Sequence, residues 1–187
     1  IAIARTRWIY KIGSQAIRDT GGHNTNRVIM ISTNGMGNHI FIEEMYPTAA
    51  ELPGMGGDQY IAIQVHTYDP WNFCGQNGTL DEYPGKLQIE ESIQQVAQHA
   101  RSLAVPVNYG EFGVGRANNQ AERGSDVVKE FYQTVVQTTL NEGMSSTVWD
   151  DRGWFGLVDY NEETKSLEFE YDIVPFMLQD TQTGAID

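Results

Sequence analysis

The sequence has 187 residues, 40% hydrophobic and 20% charged, proportions that suit one globular domain over residues 1–187. Its formal net charge of −13, from 25 acidic and 12 basic side chains, opposes binding to the phosphates of nucleic acids. No apolar run approaches the roughly 18 residues that cross a bilayer, and the single cysteine, Cys74, excludes an internal disulfide.

Strand-like and helix-like segments alternate along the chain. Short apolar runs predict buried strands, and apolar residues at helical spacing predict helices. Such alternation is typical of βα units with a parallel sheet, which is an α/β fold. In chain order we predict a helix over 8–17, a strand over 28–31, a long loop over 34–57, a strand over 60–66, a helix over 87–100, a strand over 106–111, a helix over 127–136, a strand over 146–149 and a short helix over 173–178.

The carboxyl ends of these strands carry the residues of interest, because chemistry in parallel sheets gathers there. Glu111 ends the third strand between Gly110 and Gly113. Glycines on both sides let the backbone or a substrate approach the carboxylate closely. Taken alone, this motif also fits a loop glutamate that merely follows a strand.

His66 and Tyr68 follow the second strand. In extended chain, alternate residues face the same side, so the two side chains should project together. An imidazole and a phenol there could hydrogen-bond a carboxylate and orient it. A core histidine beside a surface tyrosine fits the same residues equally well.

Aromatic side chains near the strand ends suit a sugar-binding platform. Trp149 ends the fourth strand, with Asp150, Asp151 and Trp154 close behind it, and Trp71 lies in the preceding loop. A flat indole can stack on a sugar ring, but it can equally pack within a barrel. The four histidines have no ligand spacing, and no phosphate-binding or nucleophile-elbow motif occurs, so we expect no metal and no cofactor.

Five stretches of the chain together resemble glycoside hydrolase family 5, the cellulase family of clan A. Each is similar to a segment from the second half of that family's barrel, between the turn before the fifth strand and the segment after the eighth. They are Ile17 to Arg27, Val65 to Phe73, Val107 to Gly113, Val148 to Asp151 and Gly153 to Asp159.

The resemblance implies a (β/α)8 TIM-barrel type of which this chain holds about the last four βα units. It implies a retaining endo-β-1,4-glucanase, acting outside the cell on a β-glucan polysaccharide or oligosaccharide. Glu111 takes the position of the family's nucleophile, His66 and Tyr68 orient it, and Trp149 stacks under the sugar. Retention needs a second carboxyl about 5 Å from the nucleophile to protonate the departing oxygen.

That second group is missing from the chain. In the family the acid/base glutamate follows the fourth strand in an Asn-Glu-Pro motif, and no such motif occurs here. The chain is expected to begin in the helix after that site, and four strands alone would leave two open edges. A missing N-terminal half, a second copy in a homodimer, or an inactive remnant each accounts for this.

These alternatives lead to different functions. In a homodimer, Asp150 or Asp151 of the second copy would be a candidate substitute acid. Without an acid, the chain would be a non-catalytic carbohydrate-binding half-barrel that uses its tryptophans, or a self-assembling barrel fragment.

Overall fold

A four-stranded parallel sheet forms the centre of the computed structural model, which describes residues 2–179. Its strands follow chain order, β1-β2-β3-β4, and each is parallel to its neighbour. The parallel α/β arrangement expected from the sequence is therefore confirmed. The strands are β1 (Ile29–Ser32), β2 (Ile61–Thr67), β3 (Val107–Phe112) and β4 (Ser145–Ser146).

Long helices connect the strands, and short helical turns fill the loops. α1 precedes the sheet, and two further long helices lie between β2 and β3 and between β3 and β4. The α-helices are α1 (Ala2–Asp19), α2 (Asn34–Gly37), α3 (Ile42–Met45), α4 (Trp71–Cys74), α5 (Lys86–Leu103), α6 (Asp126–Asn141) and α7 (Ile173–Met177). The 3-10 turns are Gly22–Thr25, His39–Phe41, Ala49–Glu51, Pro53–Gly56, Leu80–Glu82 and Gln120–Gly124.

The hydrophobic core lies between one face of the sheet and the helices α5 and α6. Ile63 and Val65 of β2 are fully buried there, together with Ile93 of α5 and Val135 of α6. These helices bury residues three and four apart, as their sequence spacing predicts. The opposite sheet face holds the polar residues of the strand ends, and Gln64, His66 and Glu111 there are partly buried.

The fourth strand is shorter than the sequence predicts. It spans only Ser145–Ser146, because beyond it the chain keeps intermittent rather than regular bonds to β3. Thr147 N donates to the Tyr109 carbonyl at 2.8 Å, and Trp149 N donates to that of Phe112 at 3.0 Å. Trp149 is thereby still held beside the end of β3.

A hairpin that the sequence did not predict follows the sheet. Antiparallel strands β5 (Val158–Asn161) and β6 (Ser166–Phe169) form it. β6 is exposed along its whole length, so no buried face imposes an alternating apolar pattern on the sequence.

Across residues 2–179, none of the helices has the length and apolar character of a membrane span.

Candidate active site

A β-bulge sets the position of Glu111. Along β2 and β3, Val65 pairs with Tyr109, but the next residue, His66, pairs with Glu111, so Gly110 is the extra residue. A bulge of this kind re-aims the following side chain. Gly110 is required at this point, because a Cβ atom there would collide with the Gln64 side chain. The bulge therefore places the carboxylate of Glu111 beside the ring of His66.

Tyr68 and His66 both reach the same oxygen of Glu111. The Tyr68 hydroxyl donates to Glu111 Oε2 at 3.0 Å, and His66 Nδ1 lies 3.5 Å from that atom. Burial, with the hydrogen bond to Glu111 as the next cause, raises the pKa of Tyr68 well above its usual value. The phenol therefore remains a hydrogen-bond donor. The sequence placed these three residues on neighbouring strand ends, and the structure brings them together.

Gln64 and Gly37 fix the His66 ring. Gln64 Nε2 lies 3.0 Å from His66 Nε2. An amide nitrogen donates, so with Gln64 in this orientation His66 Nε2 is the acceptor and the ring N–H on Nδ1 points towards Glu111. Gly37 packs against the ring, since a Cβ atom there would lie 2.9 Å from Nδ1. Sequence reasoning missed Gln64, although the period-two alternation that links His66 and Tyr68 extends back to it.

An open cleft of about 440 Å³ surrounds this cluster, a volume in the range of small-molecule sites. Trp71 and Trp149 line the cleft and are 54% and 40% exposed, so their ring faces are available to a ligand. Phe155, which the sequence did not single out, lines it too. Edge-on contacts hold Tyr68 between Trp71 and Phe155, with ring centroids 6.2 Å and 5.6 Å away.

Three further residues that the sequence singled out lie outside the cleft lining. Asp150 accepts hydrogen bonds from the backbone N–H groups of Arg152, Leu157 and Val158. Asp151 likewise accepts from Gly153 and Phe155. Trp154 is 48% exposed but is not among the residues that form the cleft. Both carboxylates thus shape the loop that carries Phe155.

Asp69 is a second carboxylate at the cleft that sequence reasoning missed. Its Oδ2 lies 3.4 Å from Nε2 of His39, a histidine that is only 2% exposed. The contact with His39 lowers the pKa of Asp69, and a contact with Asn38 adds to this effect. A general acid needs the opposite shift, because it must hold its proton until the reaction. Asp69 is therefore unsuited to protonate a departing group.

The described residues offer little to a metal ion. Within residues 2–179, no three His, Cys, Asp or Glu side chains come together as a possible ligand set. The chemistry available at the cleft is that of two carboxylates, Glu111 and Asp69, with one imidazole, one phenol and the surrounding aromatic rings.

Two solved structures that share this fold are endoglucanases. A hyperthermophilic endo-beta-1,4-glucanase in complex with substrate superposes with a TM-score of 0.71 and 23% identity, covering 94% of this chain and 54% of that protein. A broad-specificity endoglucanase from Ruminococcus champanellensis with bound cellotriose gives a TM-score of 0.69 and 19% identity, with 92% and 49% covered. The fold is thus of the (β/α)8-barrel type, and the chain spans about half of such a structure.

Sequence comparison identifies the family. The family model for cellulase (glycosyl hydrolase family 5) matches residues 6–152 of this chain. Endoglucanase B of Neocallimastix patriciarum is 27% identical over 143 residues, 75% of this chain but 28% of that protein. Endoglucanase A of Clostridium longisporum is 26% identical over 142 residues, 73% of this chain and 25% of that protein. The chain belongs to glycosyl hydrolase family 5, and it spans about a quarter of the length of these relatives.

Proposed function

We propose that this chain is the carboxyl-terminal half of a retaining endo-β-1,4-glucanase, with Glu111 as nucleophile. The Glu111 carboxylate, in contact with Tyr68 and His66 and open to an aromatic cleft, is the observation that carries this proposal. Two curated relatives that match the chain are endoglucanases, which supports the activity. Residues 1–187 then form one part of one catalytic domain, and no cofactor takes part.

In this mechanism Glu111 attacks the anomeric carbon of the sugar and forms a covalent glycosyl-enzyme. Tyr68 donates its hydrogen bond to Oε2 and so fixes the rotation of the carboxylate, while His66 supports it from the neighbouring strand. Preorganisation of this kind lowers the barrier because the groups need not rearrange during attack. Water later hydrolyses the intermediate with help from the acid/base residue.

The substrate is a β-glucan, bound largely through stacking. Trp149 supports the sugar that Glu111 attacks, and Trp71 extends the apolar surface of the cleft. Asp150, Asp151 and Trp154, which lie outside the cleft lining, remain predicted binding residues. Because such a glucan is a polymer found outside cells, we place the activity there.

The acid/base comes from outside this chain in our proposal. Asp69 is the other carboxylate lining the cleft, and its lowered pKa makes it a poor proton donor. A missing N-terminal half or a second copy of the chain supplies the acid and closes the barrel. If neither does so, the chain is a carbohydrate-binding half-barrel, and its exposed tryptophans are the observation that favours this second function.

Dinitrophenyl cellobioside, an aryl cellobioside whose phenol is acidic, tests Glu111 as the nucleophile when no acid/base residue is present. Dinitrophenolate departs without protonation, so Glu111 alone can form the glycosyl-enzyme, and the adduct accumulates because no base activates water. Peptide mass spectrometry should find cellobiose attached to Glu111. We expect Glu111→Gln to reduce dinitrophenolate release at least about 10³-fold.

The exposed Glu91 provides the control, since Glu91→Gln makes the same chemical change far from the cleft. A loss below about tenfold for Glu111→Gln, or an adduct on another residue, removes Glu111 from the nucleophile role. A carbohydrate-binding half-barrel without catalysis would release no dinitrophenolate but would still show glucan-dependent quenching of tryptophan fluorescence.

A further inference from the structure

A positively charged side chain is buried in the loop that follows β3. Arg116 is only 2% exposed. Its Nε pairs with Glu122 at 3.0 Å, but its Nη2 is buried and has no hydrogen-bond partner among residues 2–179. An incompletely paired buried charge costs free energy, and an apolar side chain of similar size often gives equal or greater stability. The groups that Arg116 holds in place are therefore a better guide to its role than stability is.

The guanidinium of Arg116 is directed at α4, the short helix that carries Trp71. Its Nη1 donates to the Phe73 carbonyl at 2.7 Å and to the Gly115 carbonyl at 2.7 Å. The guanidinium carbon lies 5.4 Å from the centre of the Phe73 ring, within the range of a cation–π contact. Because the donors of a planar guanidinium have fixed directions, these contacts hold the backbone of α4 against the loop after β3.

The backbone at Arg116 joins α4 to a second loop. Arg116 N donates to the Trp154 carbonyl at 3.0 Å, whereas the preceding Gly115 N donates to the Cys74 carbonyl, at the end of α4, at 2.8 Å. Gly115 also packs against Phe155, since a Cβ atom there would lie 2.6 Å from atoms of the Phe155 ring. Residues 115–116 therefore connect α4 to the loop that carries Phe155.

These two segments hold Tyr68 between them. The Tyr68 ring is in edge-on contact with Trp71 of α4 and with Phe155 of the second loop, and its hydroxyl donates to Glu111. A shift of the ring moves the hydroxyl with it, and a hydrogen bond weakens steeply when its geometry is lost. The separation of the two segments therefore sets how well the hydroxyl meets the carboxylate.

We infer that Arg116 is a positioning residue for the nucleophile and acts through Tyr68. This inference rests on the proposed function. By joining α4 to the Phe155 loop, Arg116 keeps the Tyr68 hydroxyl directed at Glu111. Arg116 is absent from the cleft lining, so it acts only through the side chains that it supports. Contacts that lie behind a catalytic group in this way preserve its geometry.

A double-mutant cycle with Tyr68→Phe separates positioning from a general loss of stability. We expect Arg116→Met, in the full chain, to slow adduct formation from dinitrophenyl cellobioside by roughly five- to thirtyfold, because the hydroxyl is displaced. In the Tyr68→Phe background the same change should alter the rate by less than about 1.5-fold, because the hydroxyl that it positions is gone. Methionine fills a similar volume, so the packing against Phe73 is kept.

Arg116→Lys tests rescue by a similar side chain. It keeps the charge and a donor, so its rate should fall by only about three- to fivefold, less than that of Arg116→Met. Arg116→Lys also takes the place of Arg116→Met in the cycle if urea unfolding shows that the methionine variant is not folded. A loss in Arg116→Lys that equals or exceeds that in a folded Arg116→Met contradicts a role for the donated hydrogen bonds.

Arg123→Met is the matched control. Arg123 is 1% exposed and lies in the same connection between β3 and α6, but it donates to Gly156 and Tyr171 rather than to α4. Its variant should keep the rate of adduct formation within about twofold. Equal losses in both arginine variants, or a loss from Arg116→Met that is the same with and without the Tyr68 hydroxyl, overturn the inference alone. If the unaltered chain forms no adduct, the proposed function itself fails, and this inference with it.

Discussion

The geometry of the candidate nucleophile depends on one hydroxyl group, that of Tyr68. This hydroxyl donates to Glu111 Oε2 at 3.0 Å, and the Tyr68 ring lies between Trp71 and Phe155 in edge-on contact with both. The raised pKa of Tyr68 means that the phenol keeps its proton throughout the pH range in which a glucanase works. In the proposed mechanism Tyr68 therefore orients the carboxylate as a hydrogen-bond donor.

Replacing Tyr68 by phenylalanine should slow attack by Glu111 while the ring packing is kept. We expect adduct formation from the aryl cellobioside to fall by roughly 10- to 100-fold, because one preorganised hydrogen bond is lost. Tyr83→Phe is the control, since the Tyr83 hydroxyl also donates to a carboxylate, that of Glu130 at 2.6 Å, away from the cleft. Rates of adduct formation that are equal in the two variants would contradict an orienting role for Tyr68.

Helix α1 is attached to the rest of the chain by polar contacts and by Ile3 and Tyr10, which pack against the core. Ser14 is its one buried residue among those described, and Trp8, Ile9 and Ile12 are exposed. Arg18 pairs with Asp58 at 2.8 Å and also donates to the Asn24 carbonyl. This ion pair therefore joins the end of α1 to the segment that leads into β2.

The pH dependence of stability should reveal this ion pair. The hydrogen bond from Arg18 lowers the pKa of Asp58 below its usual value of 3.8. Because the pKa of Asp58 is lower in the folded chain than in the unfolded chain, the ionised carboxylate stabilises the fold above pH 3.8. This contribution is lost as the pH falls below 3.8. Asp58→Asn should therefore lower the free energy of unfolding by about 1–2 kcal/mol at neutral pH.

Urea unfolding at pH 7 and at pH 3 measures this difference, which should shrink at the lower pH. Glu162→Gln is the control, because the Glu162–Lys165 pair is highly exposed and exposed pairs contribute little. A difference between Asp58→Asn and the unaltered chain that stays constant with pH would mean that the ionised Asp58 does not hold α1 in place.

At the scale of the molecule, the sheet is open within residues 2–179. β1 and β4 each have one paired side, and parallel strands with free edges are prone to association. Several apolar side chains are exposed. They are Met30 on the edge strand β1, Leu140 at the end of α6, which precedes the edge strand β4, and Trp8 and Ile12 on α1. These features match the family comparison, in which the chain spans about half of each solved endoglucanase.

We therefore expect the isolated chain to associate with itself through this open side. Sedimentation at micromolar concentration should give a mass above the 21.0 kDa of one chain. Ile12→Lys should weaken the association, because it places a charge on the exposed apolar side of α1, whereas Leu167→Lys on the exposed hairpin should not. A monomer at that concentration excludes the second copy and leaves two explanations, a separate N-terminal half that completes the barrel and an inactive remnant.

Local patterns in the sequence determined the elements and the identity of the central cluster. Helical spacing predicts α1, α5 and α6, and short apolar runs predict the first three strands. In α5 and α6 the spaced apolar residues form the buried face, whereas Trp8, Ile9 and Ile12 of α1 are exposed. Glu111, His66 and Tyr68 were found because strand ends of parallel sheets converge, so their position in the chain already implies their proximity.

Only the tertiary structure decided how these residues meet. The bulge at Gly110 and the contact between the buried His39 and Asp69 depend on segments far apart in sequence. A polar side chain has the same local signature whether it faces a ligand or a backbone amide. Its partner is chosen by packing, and packing is set by the whole fold rather than by neighbouring residues.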